Sequence, residues 1–125
     1  MDTSPRHKIL LIEDHPLVGE FLRDALEGEG YETIGPITTE ADALSILSSC
    51  PPTAALLDFH LNGSTTLLIA EALQQVSIPF IFMSGEELGE ILPSSLQSIP
   101  QFLKPFKIHE LLECMNALIQ EKSTK

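Results

Sequence analysis

The sequence predicts an α/β domain: a doubly wound, five-stranded parallel sheet with helices on both faces. Three observations carry that reading. Uncharged apolar runs recur at Ile9-Leu10-Leu11-Ile12, Ala54-Ala55-Leu56-Leu57 and Ile78-Pro79-Phe80-Ile81-Phe82-Met83. Runs of this length form strands buried on both faces, which means a parallel sheet covered by helices. Segments of helical apolar spacing alternate with them, and the connections are too short for a second domain. Such βα alternation gives right-handed crossovers.

In chain order, a polar lead-in reaches Lys8, and the first run ends in Glu13-Asp14. Pro16 suits the first turn of a helix whose stripe is Leu17, Val18, Phe21, Leu22, Ala25 and Leu26, closed by Gly28-Glu29-Gly30. Tyr31 to Pro36 reads as a second strand. Thr39 is placed to cap a helix that stops before Cys50-Pro51-Pro52. The central run ends on Asp58, and Asn62-Gly63 turns the chain. Ser64 or Thr65 can then cap a helix burying Leu68, Ala72 and Val76.

The fourth run ends in Ser84-Gly85. Glu86 to Pro100 is the least regular stretch, its helical spacing at Leu88, Ile91 and Leu92 limited by Gly89 and Pro93. Gln101-Phe102-Leu103 is a short last strand before Lys104-Pro105. Ile108, Leu111, Leu112, Met115, Leu118 and Ile119 mark a closing helix, with fraying expected from Glu121.

The 125 residues, 43% apolar and 20% charged, predict one domain over 1–125 with a core over about 8–119. Net charge is −11, and Lys104 is the single basic residue between Arg23 and Lys107. No basic stripe exists for nucleic acid, and an anionic membrane surface would repel the chain. No apolar run approaches a membrane span, and no leader-type core follows the start, so the expected location is cytoplasmic. Cys50 and Cys114 show no metal spacing and read as reduced, largely buried thiols.

Four strand ends carry functional groups: Glu13-Asp14, Asp58, Ser84 and Lys104. A parallel sheet brings all four to one edge, where open sheets of this kind place their chemistry. Two carboxylates ~4 Å apart repel by about 4 kcal/mol at an effective dielectric near 20, so three demand a cation. Hard oxygen ligands in a small site favour Mg²⁺. Asp58 can then serve as a nucleophile toward a phosphoryl donor. Lys104 can neutralise phosphoryl oxygens, and Ser84 can donate a hydrogen bond to one.

From Lys8 to about Ile119 the chain resembles the receiver domains of two-component response regulators. Glu13-Asp14, Asp58, the Ser/Thr position at Ser84, and Lys104-Pro105-Phe106 carry the resemblance. Gly-Tyr-Glu-Thr-Ile-Gly-Pro and Ile-Pro-Phe-Ile-Phe-Met-Ser-Gly look like the stand-alone, single-domain receivers of bacteria. The resemblance implies a flavodoxin-like (βα)5 fold with strand order 2-1-3-4-5 and a cis Lys104-Pro105 peptide. It implies Asp58 as phosphoacceptor, with Mg²⁺ on Asp14, Asp58 and the His60 carbonyl and Glu13 acting through water. The expected partners are a histidine kinase or histidine phosphotransfer protein and a separate effector protein. No enzymatic turnover is expected beyond the domain's own phosphorylation and dephosphorylation.

One departure stands out. Receivers usually carry Tyr or Phe three residues before the lysine, and here that position is Gln101. His60 and Glu86, each two residues past a site residue, either flank the phosphoryl group and tune its hydrolysis or are simply exposed. Two other readings are a haloacid dehalogenase-type phosphohydrolase and a phosphate-independent binding module. The first also uses an aspartate nucleophile, but it wants a second acid where His60 stands and a cap domain that 125 residues cannot hold. The second is disfavoured because every group of the site is present.

Overall fold

The computed structural model of the chain describes residues 6–123. In order the elements are β1 (Lys8–Ile12), α1 (Pro16–Gly28), β2 (Glu32–Ile37), α2 (Glu40–Ser49) and β3 (Ala54–Asp58). A small ribbon follows, β4 (His60–Leu61) with β5 (Ser64–Thr65), then α3 (Leu67–Gln75) and β6 (Phe80–Ser84). Two 3₁₀ turns, Gly89–Ile91 and Ser94–Leu96, lead to β7 (Gln101–Leu103) and α4 (Ile108–Ser123). The main sheet runs β2-β1-β3-β6-β7, every pairing parallel. With the ribbon set aside, that is the expected order 2-1-3-4-5.

Strand alternation sorts the apolar residues into two cores. Leu10, Ile12, Ala55, Leu57, Phe80 and Phe82 face α2, α3 and the 3₁₀ segment. Ile9, Leu11, Ala54, Leu56, Ile81 and Met83 face α1 and α4, meeting Leu22, Leu26, Leu111, Met115 and Ile119. Every residue of β3 and β6 is buried, which is why neither strand alternates with polar residues.

The local chemistry explains the boundaries. His15 caps α1, its Nδ1 accepting the Val18 N–H, and Pro16 occupies the first turn. Thr39 caps α2 by accepting the Asp42 N–H at 3.2 Å. Asn62 (φ 51°) and Gly63 (φ 81°) are both left-handed, the signature of the two-residue hairpin turn that matches strand twist. The Lys104-Pro105 peptide is cis as expected, and Gly35-Pro36 is cis as well.

Several expectations are corrected. Strand β2 starts at Glu32 rather than Tyr31 and runs to Ile37. On α1, Leu17 and Phe21 are exposed, while Gly19, Leu22 and Leu26 are buried. On α3 the buried set is Ile69, Ala70 and Leu73, with Leu68 and Val76 exposed. Ser64 and Thr65 pair in β5 rather than capping the helix, which starts at Leu67. Cys50 is exposed at the end of α2. The fourth crossover holds 3₁₀ turns in place of an α-helix. Leu88, Leu92 and Leu96 keep a four-residue spacing and are all buried. Gly89 at φ 38° and Pro93, which has no N–H to donate, stop the helix between them. Helix α4 continues past Glu121 to Ser123. The lead-in over 1–5 and the end of the chain over 124–125 lie outside the described residues.

Thr66 joins β3 to α3 and is fully buried. Its hydroxyl donates to the Asp58 carbonyl at 2.9 Å and contacts the Phe59 carbonyl at 3.3 Å. No side chain caps α3 because this hydroxyl is turned to the strand end. Thr66→Val, of similar shape, is expected to lower unfolding free energy by about 1–3 kcal/mol, the cost of stripping a donor from a buried acceptor. Urea denaturation of the parent, Thr66→Val and Thr66→Ser reads this out, and the serine variant should recover part of the loss.

Candidate functional site

Four loops meet at the carboxyl edge of the main sheet. Glu13 and Asp14 follow β1, Asp58 ends β3, Ser84 ends β6 and Lys104 follows β7. Backbone bonds lock these ends together. The Glu13 N–H donates to the Ile37 carbonyl, the Phe59 N–H to the Met83 carbonyl, and the Lys104 N–H to the Ser84 carbonyl. The side chains are thus placed by sheet register rather than by mobile loops.

Glu13 is 1% exposed, Asp58 7% and Ser84 3%, values normally reached by apolar residues. Gly19 of α1 makes room for the Pro36 ring rather than for Glu13: a Cβ there would stand 2.6 Å from the Pro36 Cγ, while the Glu13 Cγ at 3.7 Å is at ordinary contact distance. Oxygens of Glu13, Asp14 and Asp58 all lie within 4.8 Å of one another. The Lys104 ammonium bridges two of the acids, 3.0 Å from Asp58 Oδ2 and 3.4 Å from Glu13 Oε1. The other Glu13 oxygen accepts the His15 N–H at 3.1 Å. Asp14 Oδ2 accepts the Asn62 N–H at 2.9 Å.

Electrostatics follow from this crowding. Burial holds the Glu13 carboxyl above its ordinary pKa; the His15 N–H and Lys104 oppose the rise and the Asp58 charge adds to it. For Lys104, burial pulls the pKa down, but the hydrogen bond and charge of Asp58, with the charge of Glu13, outweigh it. The ammonium is held above its ordinary value and stays charged. One cation is still too few for three carboxylates. The donor set is all hard oxygen, two of the acids are buried and Asp14 is half-buried, and this fits a small divalent cation such as Mg²⁺.

Ser84 Oγ accepts the Glu86 N–H at 3.1 Å, which leaves its hydroxyl hydrogen available to donate elsewhere. The His60 side chain does not join the acid cluster. Its Nε2 pairs with Glu86 Oε1 at 2.7 Å, and both side chains are about half exposed. The His60 backbone is another matter. The Thr66 N–H donates to the Phe59 carbonyl, and Leu61 pairs with Ser64 at the turn. In an antiparallel ladder this makes His60–Thr65 the non-hydrogen-bonded pair, so the ribbon does not use the His60 carbonyl.

Gln101 is exposed, and Phe102 lies on the other face of β7, edge-on to Phe106 at 5.8 Å between centroids. A cleft of about 280 Å³ opens on the Gln101 side, lined in part by Ser84, Glu86, Leu88, Gly89, Gln101 and Leu103. Two residues of the site were not legible from sequence. Asn62 reads locally as a turn residue, although the Asn-Gly hairpin signal could have indicated the ribbon. Thr66 carries no local signal of its contact with Asp58.

Comparison with known proteins agrees with this fold. Residues 9–116 match the profile of the response regulator receiver domain. The DNA-binding response regulator MtrA of Mycolicibacterium smegmatis is 28% identical over 123 residues, 96% of this chain and 53% of MtrA. The chain therefore spans about half the length of that curated relative. The receiver domain of Francisella response regulator 1452 superposes with a TM-score of 0.80 at 21% identity, covering 94% of this chain and 99% of that one. The receiver domain of sensor histidine kinase PA1611 from Pseudomonas aeruginosa PAO1, solved with a magnesium ion coordinated in its active site cleft, gives 0.78 at 20% identity. It covers 93% of this chain and 99% of its own. With 108 contiguous residues (9 to 116) inside the family profile, this chain belongs to the response regulator receiver domain family.

Proposed function

We propose that this chain is a phosphorylation-dependent signalling module, acting as one receiver unit over about 8–119, with Asp58 as phosphoacceptor. The observation that carries the reading is the Lys104 ammonium 3.0 Å from Asp58 Oδ2 inside a cluster of three carboxylates. Asp14, Asp58 and the His60 carbonyl would hold Mg²⁺, with Glu13 acting through water. Bound there, Mg²⁺ neutralises the acids and the oxygens of an incoming phosphoryl group.

The chain's own residues do the rest. The Asp58 oxygen not engaged by Lys104 attacks phosphorus, and the donor's P–N bond breaks with its electron pair leaving on the imidazole of a phosphohistidine. Lys104 moves from the two carboxylates to the new phosphoryl oxygens, and the Ser84 hydroxyl donates to one of them. His60 and Glu86, two residues past Asp58 and Ser84, pair with each other and are half exposed, outside the acid cluster. Donor and receiver of the signal are then a histidine kinase or histidine phosphotransfer protein and a separate effector, in the cytoplasm. No described helix is long and apolar enough to cross a membrane. Where the phosphohydrolase pattern needs a second acid, His60 stands paired to Glu86.

Acetyl phosphate with Mg²⁺ is expected to label the protein stoichiometrically, giving an acid-stable, alkali-labile phosphate. Asp58→Asn should abolish labelling while leaving the circular dichroism spectrum intact. Undiminished labelling of that variant would refute the assignment, and sustained turnover of a generic phosphate ester would favour the phosphohydrolase.

The outward route runs through the segment after Ser84. It has no α-helix, its backbone bonds are short-range 3₁₀ contacts, and the cleft beside Gln101 leaves room for it to shift. Hydrogen exchange with and without beryllofluoride should change most over residues 84–100. Gln101→Ala should leave labelling and effector binding nearly unchanged. Changes centred on α3, or uncoupling by Gln101→Ala alone, would rule this route out.

A further inference from the structure

Asn62 sits outside the acid cluster yet touches it from the tip of the ribbon. Its backbone N–H donates to Asp14 Oδ2 at 2.9 Å. Its side-chain Nδ2 donates to the Thr38 carbonyl, in the loop between β2 and α2. Its left-handed backbone makes the turn that folds the ribbon back, and His60 lies two residues upstream in the same ribbon. One residue therefore joins three loops: those after β1, β2 and β3.

We infer that Asn62 is a positioning residue for the divalent cation, acting through Asp14 and the His60 carbonyl. This rests on the magnesium reading given above. A free ribbon of two paired residues per strand is too short to be stable alone. The Nδ2–Thr38 tie fixes its tip against the β2–α2 loop. With the tip fixed, the Asn62 N–H holds one Asp14 oxygen, so the other is aimed by a bond rather than left to rotate. The same anchorage sets the depth of the His60 carbonyl. Partners that orient metal ligands in this way commonly contribute tenfold or more to affinity.

Asn62→Gly is the test, because glycine keeps the left-handed turn and the N–H and removes only the side-chain amide. Ser64→Ala, an exposed substitution in the same ribbon, is the control. Mg²⁺ affinity is measured by titration calorimetry on the full chain, with the metal-free melting temperature alongside. Asn62→Gly is expected to weaken Mg²⁺ binding by about tenfold with little change in metal-free melting, while Ser64→Ala binds like the parent. Parent-like affinity in Asn62→Gly overturns the inference. So does equal loss in both variants, which would mark the ribbon as generally sensitive, or a loss matched by collapse of the metal-free fold. If the parent itself binds no Mg²⁺, the magnesium reading fails first, and that is seen in the parent alone.

Discussion

Three carboxylates gathered around one ammonium are the constraint on which the site depends. At effective dielectrics near 20 each close pair of acids costs about 4 kcal/mol, and Glu13 is withdrawn from water as well. Lys104 offsets part of this through contacts at 3.0 and 3.4 Å, and the His15 and Asn62 N–H groups offset more. The cluster stays short of positive charge. A site in that condition gains from any cation that enters.

The fold makes such a cluster tolerable. In a parallel sheet all strand ends point one way, so acids from β1 and β3 and the lysine after β7 share an edge without any loop reaching far. Full burial of β3 and β6 keeps that edge rigid. Unfavourable charge proximity is thus sustained by apolar packing elsewhere, chiefly the two cores on either face of the sheet. Thr66 and Asn62 carry the remaining adjustment, one fixing the carbonyl end of β3 and the other the ribbon beyond it.

The sequence made the strands and the site legible for the same reason. Continuous apolar runs at Ile9–Ile12 and Ala54–Leu57 admit few other placements in a chain this short, and topology alone then carries Glu13, Asp58 and Lys104 to one edge. What was hidden depends on contacts between distant segments. On α3 the buried face is Ile69, Ala70 and Leu73 because these meet the core beneath the helix, a contact that local apolar spacing does not reveal. Ser64 and Thr65 are taken by the Asn62-Gly63 hairpin before the helix begins. Leu88, Leu92 and Leu96 have helical spacing, yet Gly89 and Pro93 turn the backbone into 3₁₀ steps that bury the same leucines. Asn62 and Thr66 look like ordinary turn residues until their partners across the fold are known.

The most direct test of this account is the response of the folded state to Mg²⁺. A cation that binds the native cluster and not the dispersed acids must stabilise the protein, by about 2.7 kcal/mol at a concentration one hundred times the dissociation constant. The melting temperature of the parent should climb steadily with Mg²⁺, and that of Asp14→Ala should respond only at much higher concentration. A parent melting temperature indifferent to millimolar Mg²⁺ would contradict the claim that the acids form an undercompensated cation site.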